Sequence, residues 1–425
     1  MKKYLIKILY FSVFISVPFC ALSYPLDGYN YTEIPRLEGY RLAQEGKVRG
    51  RRLDPGALLT LDQVDLRLQN KPDFEIPEKD ETLQKQILKL LGRNKNRYSI
   101  AILDLSDPEN PAYAGHREDV NFNPGSVGKI VVAIALFHEL ASAFPEIEKR
   151  EAVLRETMIT ADAFIRHDSH VVPFWNTEKN RLRHRRIRIG DEASLWSWLD
   201  WMLSPSSNAA AATVQKQLML LHHFGSEYPV SKDQASDYFK NTSPADLVID
   251  FRDALDGSSQ AQGVDTEVLR QGAFFTREGK RRVPTGGSRA TSKAFLEILI
   301  KLEQGKIVDE FSSREIKRLL YMTQKRIRYA SSPALTDAAV YFKSGSLYRC
   351  KEEPGFVCQK YKGNVLNLLN SVVIVEDTTE GGEDLYYMAV VTSNILRVNA
   401  AVGHQSLGTW IHRLMQRRHG GVQKN

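Results

Sequence analysis

The chain has 425 residues, 42% hydrophobic and 26% charged, with a formal net charge of +7. This is ordinary globular composition, which excludes a disordered, collagenous or coiled-coil chain and leaves room for one large domain or two modest ones. At the start, Lys2, Lys3 and Lys7 precede the apolar run Ile8 to Phe19 and the small-residue pattern Ala21-Leu22-Ser23. Residues 1–23 therefore read as a signal peptide cleaved before Tyr24. Its three lysines are its only charges, so the mature chain carries +4. No later stretch reaches the roughly 20 apolar residues of a membrane helix, and the mature protein is expected to be soluble, in the periplasm or secreted. Cys20 lies in the leader, whereas Cys350 and Cys358 lie eight residues apart, which in an oxidising compartment predicts a local disulfide.

Residues 24–79 are rich in Pro, Gly and charge without sustained periodicity, which reads as a surface-hugging extension or linker whose role is not legible. From Asp80, Leu83, Ile87, Leu90 and Leu91 fall at helical spacing, with Gly92 as the stop. Tyr98–Leu105 and Ala112–His116 read as a β-hairpin around Asp107-Pro108-Glu109-Asn110-Pro111. Pro124-Gly125 then leads into Ser126–Ala141, apolar on every face and so a helix buried all round. Residues 150–325 are mostly helical in pattern, including 195–203, 209–221, 292–302 and 314–322. Within them Lys179–Arg188 holds six Lys/Arg and no acid. That patch reads as a solvated loop or an anionic-partner site; it lacks interleaved aromatics, so nucleic acid is not an expected partner. Strands are predicted at 338–343, 371–376 and 385–392, before a closing helix at 405–417. The order implies an α+β fold, with the all-α part, about 126–325, inserted between two sheet-forming ends of a domain spanning 80–425.

Ser126-Val127-Gly128-Lys129 puts a hydroxyl and an amine on one face of a helix start. A desolvated lysine loses its proton more easily and can act as base for the serine, while free helix N–H groups can face an oxyanion. Ser206-Ser207-Asn208 opens a second helical run, and Lys343-Ser344-Gly345 ends an apolar strand. Each triplet alone is weak; Ser-x-x-Lys, Ser-x-Asn and Lys-Ser/Thr-Gly once each, in that order, are together specific. The chain here resembles the serine β-lactamase and penicillin-binding-protein superfamily, most nearly the class A β-lactamases, over about residues 80–418. The likeness extends to Tyr113-Ala114-Gly115-His116, Phe122-Asn123-Pro124-Gly125 and Ala209-Ala210-Ala211.

The resemblance implies a five-stranded antiparallel sheet flanked by terminal helices beside an all-α subdomain, with the site between them. It makes Ser126 the acylated nucleophile, Lys129 its proton acceptor and Ser206 the relay to the leaving nitrogen. Asn208 would hold the substrate's side-chain amide, and Lys343, Ser344 and Gly345 would face its carboxylate. Backbone N–H groups of Ser126 and Ser346 would form the oxyanion hole. Arg326 or Arg328 would assist the carboxylate or face solvent. No metal or cofactor is implied, although His167 and His170 stand at a ligand-like spacing. The family's Glu-x-x-x-Asn deacylation loop has no match; the nearest candidate base is Glu267, with Gln271, and otherwise it is a surface glutamate. Ser207 stands where class A has aspartate. The implied function is an exported acyl-hydrolase cleaving a β-lactam or related amide, the alternatives being a DD-peptidase or transpeptidase on peptidoglycan stems, or a covalent penicillin binder that stalls. Protein partners and oligomeric state are not legible.

Overall fold

The computed structural model describes residues 26–321, 326–378 and 384–420. The predicted signal peptide, and Met322 at the end of one predicted helix, lie outside the described residues. At the centre is a five-stranded antiparallel sheet in the order 112–116, 98–104, 385–394, 366–377, 339–349. Its inner strands read as unbroken apolar runs because both faces are covered; period-two alternation sends Val373 and Val375 to one side and Val372 and Ile374 to the other. The first face takes the helices Glu81–Leu91 and Ala400–Arg418 through Leu83, Ile87, Leu407 and Ile411. Asp80 caps the former by accepting from the Leu83 N–H at 2.5 Å. The second face takes the helical part, whose axis is the helix Lys129–Ala143. The stretch Gly125–Ala143 is, among the described residues, long and apolar enough to cross a membrane, but here it is mostly buried inside the protein.

The predicted strands and helices of both ends are present, with the closing helix starting earlier, at Ala400. Two expectations are corrected. The helical part is not all-α: it also holds paired strands 158–160 with 192–194, 269–270 with 289–290, and a hairpin of 172–176 with 181–185. Half of the basic run, Arg181–Arg185, is a strand of that hairpin rather than a loop. Its alternation explains this, because the Arg185 guanidinium lies 3.6 Å over the Phe174 ring and pairs with Asp191 at 2.6 Å, while its neighbour His184 points the other way, toward Tyr40.

Residues 26–79 pack onto the helical part. Its helix Pro35–Gln44 packs on the hairpin, and Gly39 is required there: a Cβ would come within 2.5 Å of the Trp175 ring. Leu37, Val64 and Leu68 join the core of the helical part, and Arg36 is buried against Asp200 in a bidentate pair at 2.5 and 2.6 Å. Cys350 and Cys358 are joined as predicted, with Cα atoms 6.1 Å apart.

Candidate active site

Three pieces of chain meet where the sheet abuts the helical part. Gly125–Gly128 forms a single 3-10 turn, so the α-helix begins at Lys129 rather than at Ser126. Gly125 supplies the positive φ of 52° that the turn needs, and the Asn370 amide holds the carbonyls of Asn123 and Pro124 at 2.9 and 3.0 Å. The strand carrying the third motif lies so close that a Cβ on Gly345 would fall 2.3 Å from the Pro124 carbonyl and 2.7 Å from the Ser126 nitrogen. Only glycine permits that approach, which brings Ser344 and Ser346 beside Ser126 in one cleft.

Lys129 joins the first two motifs. Its Nζ lies 3.2 Å from Ser126 Oγ, 3.3 Å from Ser206 Oγ, 2.7 Å from the Ser206 carbonyl and 2.8 Å from Asn208 Oδ1. Burial, with a smaller push from Arg328 and a partial offset by Asp168, lowers its pKa to about 7. A neutral amine at that distance can take the serine proton. Ser206 holds a left-handed backbone, φ 64°, unusual for a non-glycine residue and a mark of local strain at a functional turn. Lys343 is buried and donates to the Leu203 carbonyl at 3.0 Å; burial, then repulsion from Lys129 and Arg328, pushes it well below the usual lysine range. The two candidate arginines separate. Arg328 bonds Ser344 Oγ and reaches the Tyr361 hydroxyl at 2.8 Å, whereas Arg326 is taken up by the carbonyls of Leu335 and Ala338.

Glu267 is not brought to the cleft. Its side chain is 70% exposed and bound by Arg289 at 2.6 Å, so it is the surface glutamate of the two readings. Its partner Gln271 does reach the nucleophile turn, lying against Gly128 with a buried Oε1 that no protein group bonds. Lys129 Nζ lies 4.8 Å from the centre of the Phe275 ring. No described carboxylate bonds Ser126 or Lys129.

Sequence reasoning missed Asp168. Its carboxylate accepts from Ser207 Oγ at 2.9 Å, the Ala209 N–H at 2.8 Å and His170 Nδ1 at 2.6 Å. Burial would raise its pKa, but His170 and the backbone N–H groups more than reverse this and hold the carboxyl well below the usual range. An aspartate 39 residues upstream thus gives the second motif a carboxylate where that motif itself has Ser207. The only signal was its charge beside two histidines, and the described residues hold no metal-binding cluster there or elsewhere. Asp168→Ala is expected to leave the Ser207 hydroxyl and Ala209 N–H unsatisfied, costing about 1–3 kcal/mol in denaturant unfolding. It should also slow acylation of Ser126.

A family model described as "Beta-lactamase enzyme family" matches residues 82–367, well over half of the chain. The chain belongs to that family. It is accordingly a serine hydrolase of the β-lactamase type, with the five-stranded antiparallel sheet and helical part described above. Among solved structures, a point mutant of PBP-A as its acyl-enzyme with penicillin G is 12% identical, covering 80% of this chain and 100% of its own, with a TM-score of 0.49. A beta-lactamase from Chitinophaga pinensis is 18% identical over 80% of this chain and 99% of its own, TM-score 0.48. TLA-3 extended-spectrum beta-lactamase is 13% identical over 79% and 98%, TM-score 0.48. No curated protein matches the sequence.

Proposed function

We propose that this β-lactamase family member is an exported serine acyl-hydrolase that opens a β-lactam or related amide through an acyl-Ser126 intermediate. One observation carries the reading: a buried amine bridging Ser126, Ser206 and Asn208. Neutral Lys129 takes the Ser126 proton as Oγ attacks the carbonyl carbon. The charge developing on the carbonyl oxygen faces the N–H groups of Ser126 and Ser346. As the carbon–nitrogen bond breaks, Ser206 hands its proton to the departing nitrogen and recovers one from Lys129. Asn208 holds the side-chain amide. The substrate carboxylate meets Ser344 and Arg328, and its charge restores the ammonium of Lys343 that burial disfavours.

The acylation apparatus is complete, but the flank of Lys129 carries the Phe275 ring and Glu267 stays at the surface. That favours, as a second reading, a long-lived acyl-enzyme, either a DD-peptidase on peptidoglycan stems or a stalled penicillin binder. Intact-mass spectrometry after mixing with benzylpenicillin tests both. The expected result is one adduct, mapped to Ser126 and absent in Ser126→Ala. Its turnover to hydrolysed penicillin supports the hydrolase, whereas an adduct persisting for many minutes supports the second reading, and release of D-alanine from a D-Ala-D-Ala peptide then separates peptidase from binder. Glu267→Ala is expected to leave the adduct lifetime unchanged. No adduct with any penicillin at saturating dose sinks the proposal, and an adduct trapped only in Glu267→Ala would make that glutamate the deacylating base after all.

A further inference from the structure

The cleft around Ser126, about 1080 Å³, is lined by His170, His184, Arg326, Arg328 and Lys360 and, among the described residues, by no Asp or Glu. Two further lysines, Lys129 and Lys343, are buried beneath it. One anionic group on the substrate accounts for the Ser344 and Arg328 end alone, and Arg326 is spent on backbone carbonyls. The histidines stand elsewhere. His170 is tied through Asp168 to the Ala209 N–H, which places it at the end of the cleft where Asn208 sits. His184 comes from the basic hairpin strand and is ordered by the Tyr40 hydroxyl at 3.1 Å. Strand alternation turns Arg183 and Arg185 to the opposite face, so His184 is the residue of that strand that reaches the cleft.

We propose that His170 and His184 form a second anion subsite, selecting substrates that carry a further carboxylate on the acyl side chain held by Asn208. This rests on the acyl-Ser126 reading. Asp168 engages Nδ1 of His170 and so fixes the ring within the cleft lining. An entering carboxylate accepts from ring N–H groups, and the described cleft lining holds no acid, Asp168 lying outside it. A cleft of one charge sign also concentrates a dianion over a monoanion.

The matched probes are benzylpenicillin and carbenicillin, which differ by one carboxylate on the side-chain carbon. Second-order acylation of Ser126 is expected to be on the order of tenfold faster with carbenicillin at low salt. The ratio should fall as salt is raised toward about 1 M, where the Debye length is about 3 Å. His170→Gln combined with His184→Gln should bring the ratio near one, whereas Arg183→Gln, on the averted face, should preserve it. Near-equal rates at low salt in the unaltered protein, or a preference that survives the double substitution, overturns the second subsite while leaving acyl-Ser126 standing. Failure of both compounds to acylate overturns the parent reading and this one with it.

Discussion

Acylation of Ser126 by a penicillin is expected to quicken as the pH rises through about 7 and to level off above it. The sign follows from the role of Lys129: only the unprotonated amine can accept the hydroxyl proton, and burial has brought its titration down from the ordinary lysine value of 10.5 to about 7. Single-turnover rates across that range, read by quenched-flow mass spectrometry, give the profile directly. Replacing the base with Lys129→Met is expected to slow acylation by about 10²–10⁴-fold, the usual span for a general base. Lys129→Arg should not restore it, because a guanidinium keeps its proton. A rate flat with pH through 7, or a Lys129→Met variant as fast as the parent, would remove the amine from the chemistry.

The second large effect concerns stability. Lys317 is completely buried between Glu303, at 2.8 Å, and Glu376, at 2.7 Å, and Tyr341 donates to Glu376 at 3.1 Å. These residues tie the helices Ser292–Glu303 and Glu310–Leu320 to the sheet strand Leu366–Asp377. Burial raises the pKa of Glu303, and Lys317 counters this, itself held above its ordinary range by the two carboxylates despite burial. Lys317→Met keeps the volume and removes the cation bonded to both acids. It is expected to cost about 3–5 kcal/mol, as breaking a buried ion pair from one side does. Denaturant unfolding measures it, and replacing both glutamates with glutamine in the Met background should recover part of the loss. Loss below about 1 kcal/mol would mean that the carboxylates rest protonated and need no cation.

Much of this was legible in advance because the signals were local. The triplets around Ser126, Ser206 and Lys343 announce their chemistry by residue type and spacing, and the sheet strands by runs such as Val372 to Val375. What escaped depends on distant partners. Asp168 gains meaning only when Ser207 and Ala209 fold onto it. The strand Arg181–Arg185 has a loop's composition and becomes a strand because Phe174 and Trp175 offer it a partner and a ring for Arg185. Glu267 misled for the converse reason: a carboxylate in the expected interval of chain was captured by Arg289, a partner that spacing does not reveal.

The bidentate pair of Arg36 with Asp200 has a practical consequence. The part recognisable by family begins at residue 82, so a minimal catalytic fragment cut there would look complete on paper. It would nevertheless strand an acid without its counter-ion, 3% exposed, in the helix that runs directly into the Ser206 turn, and it would uncover the indole against which Gly39 rests. The unmatched leading segment is in this sense half of an internal joint, and shortening the protein to its recognisable portion should yield insoluble material.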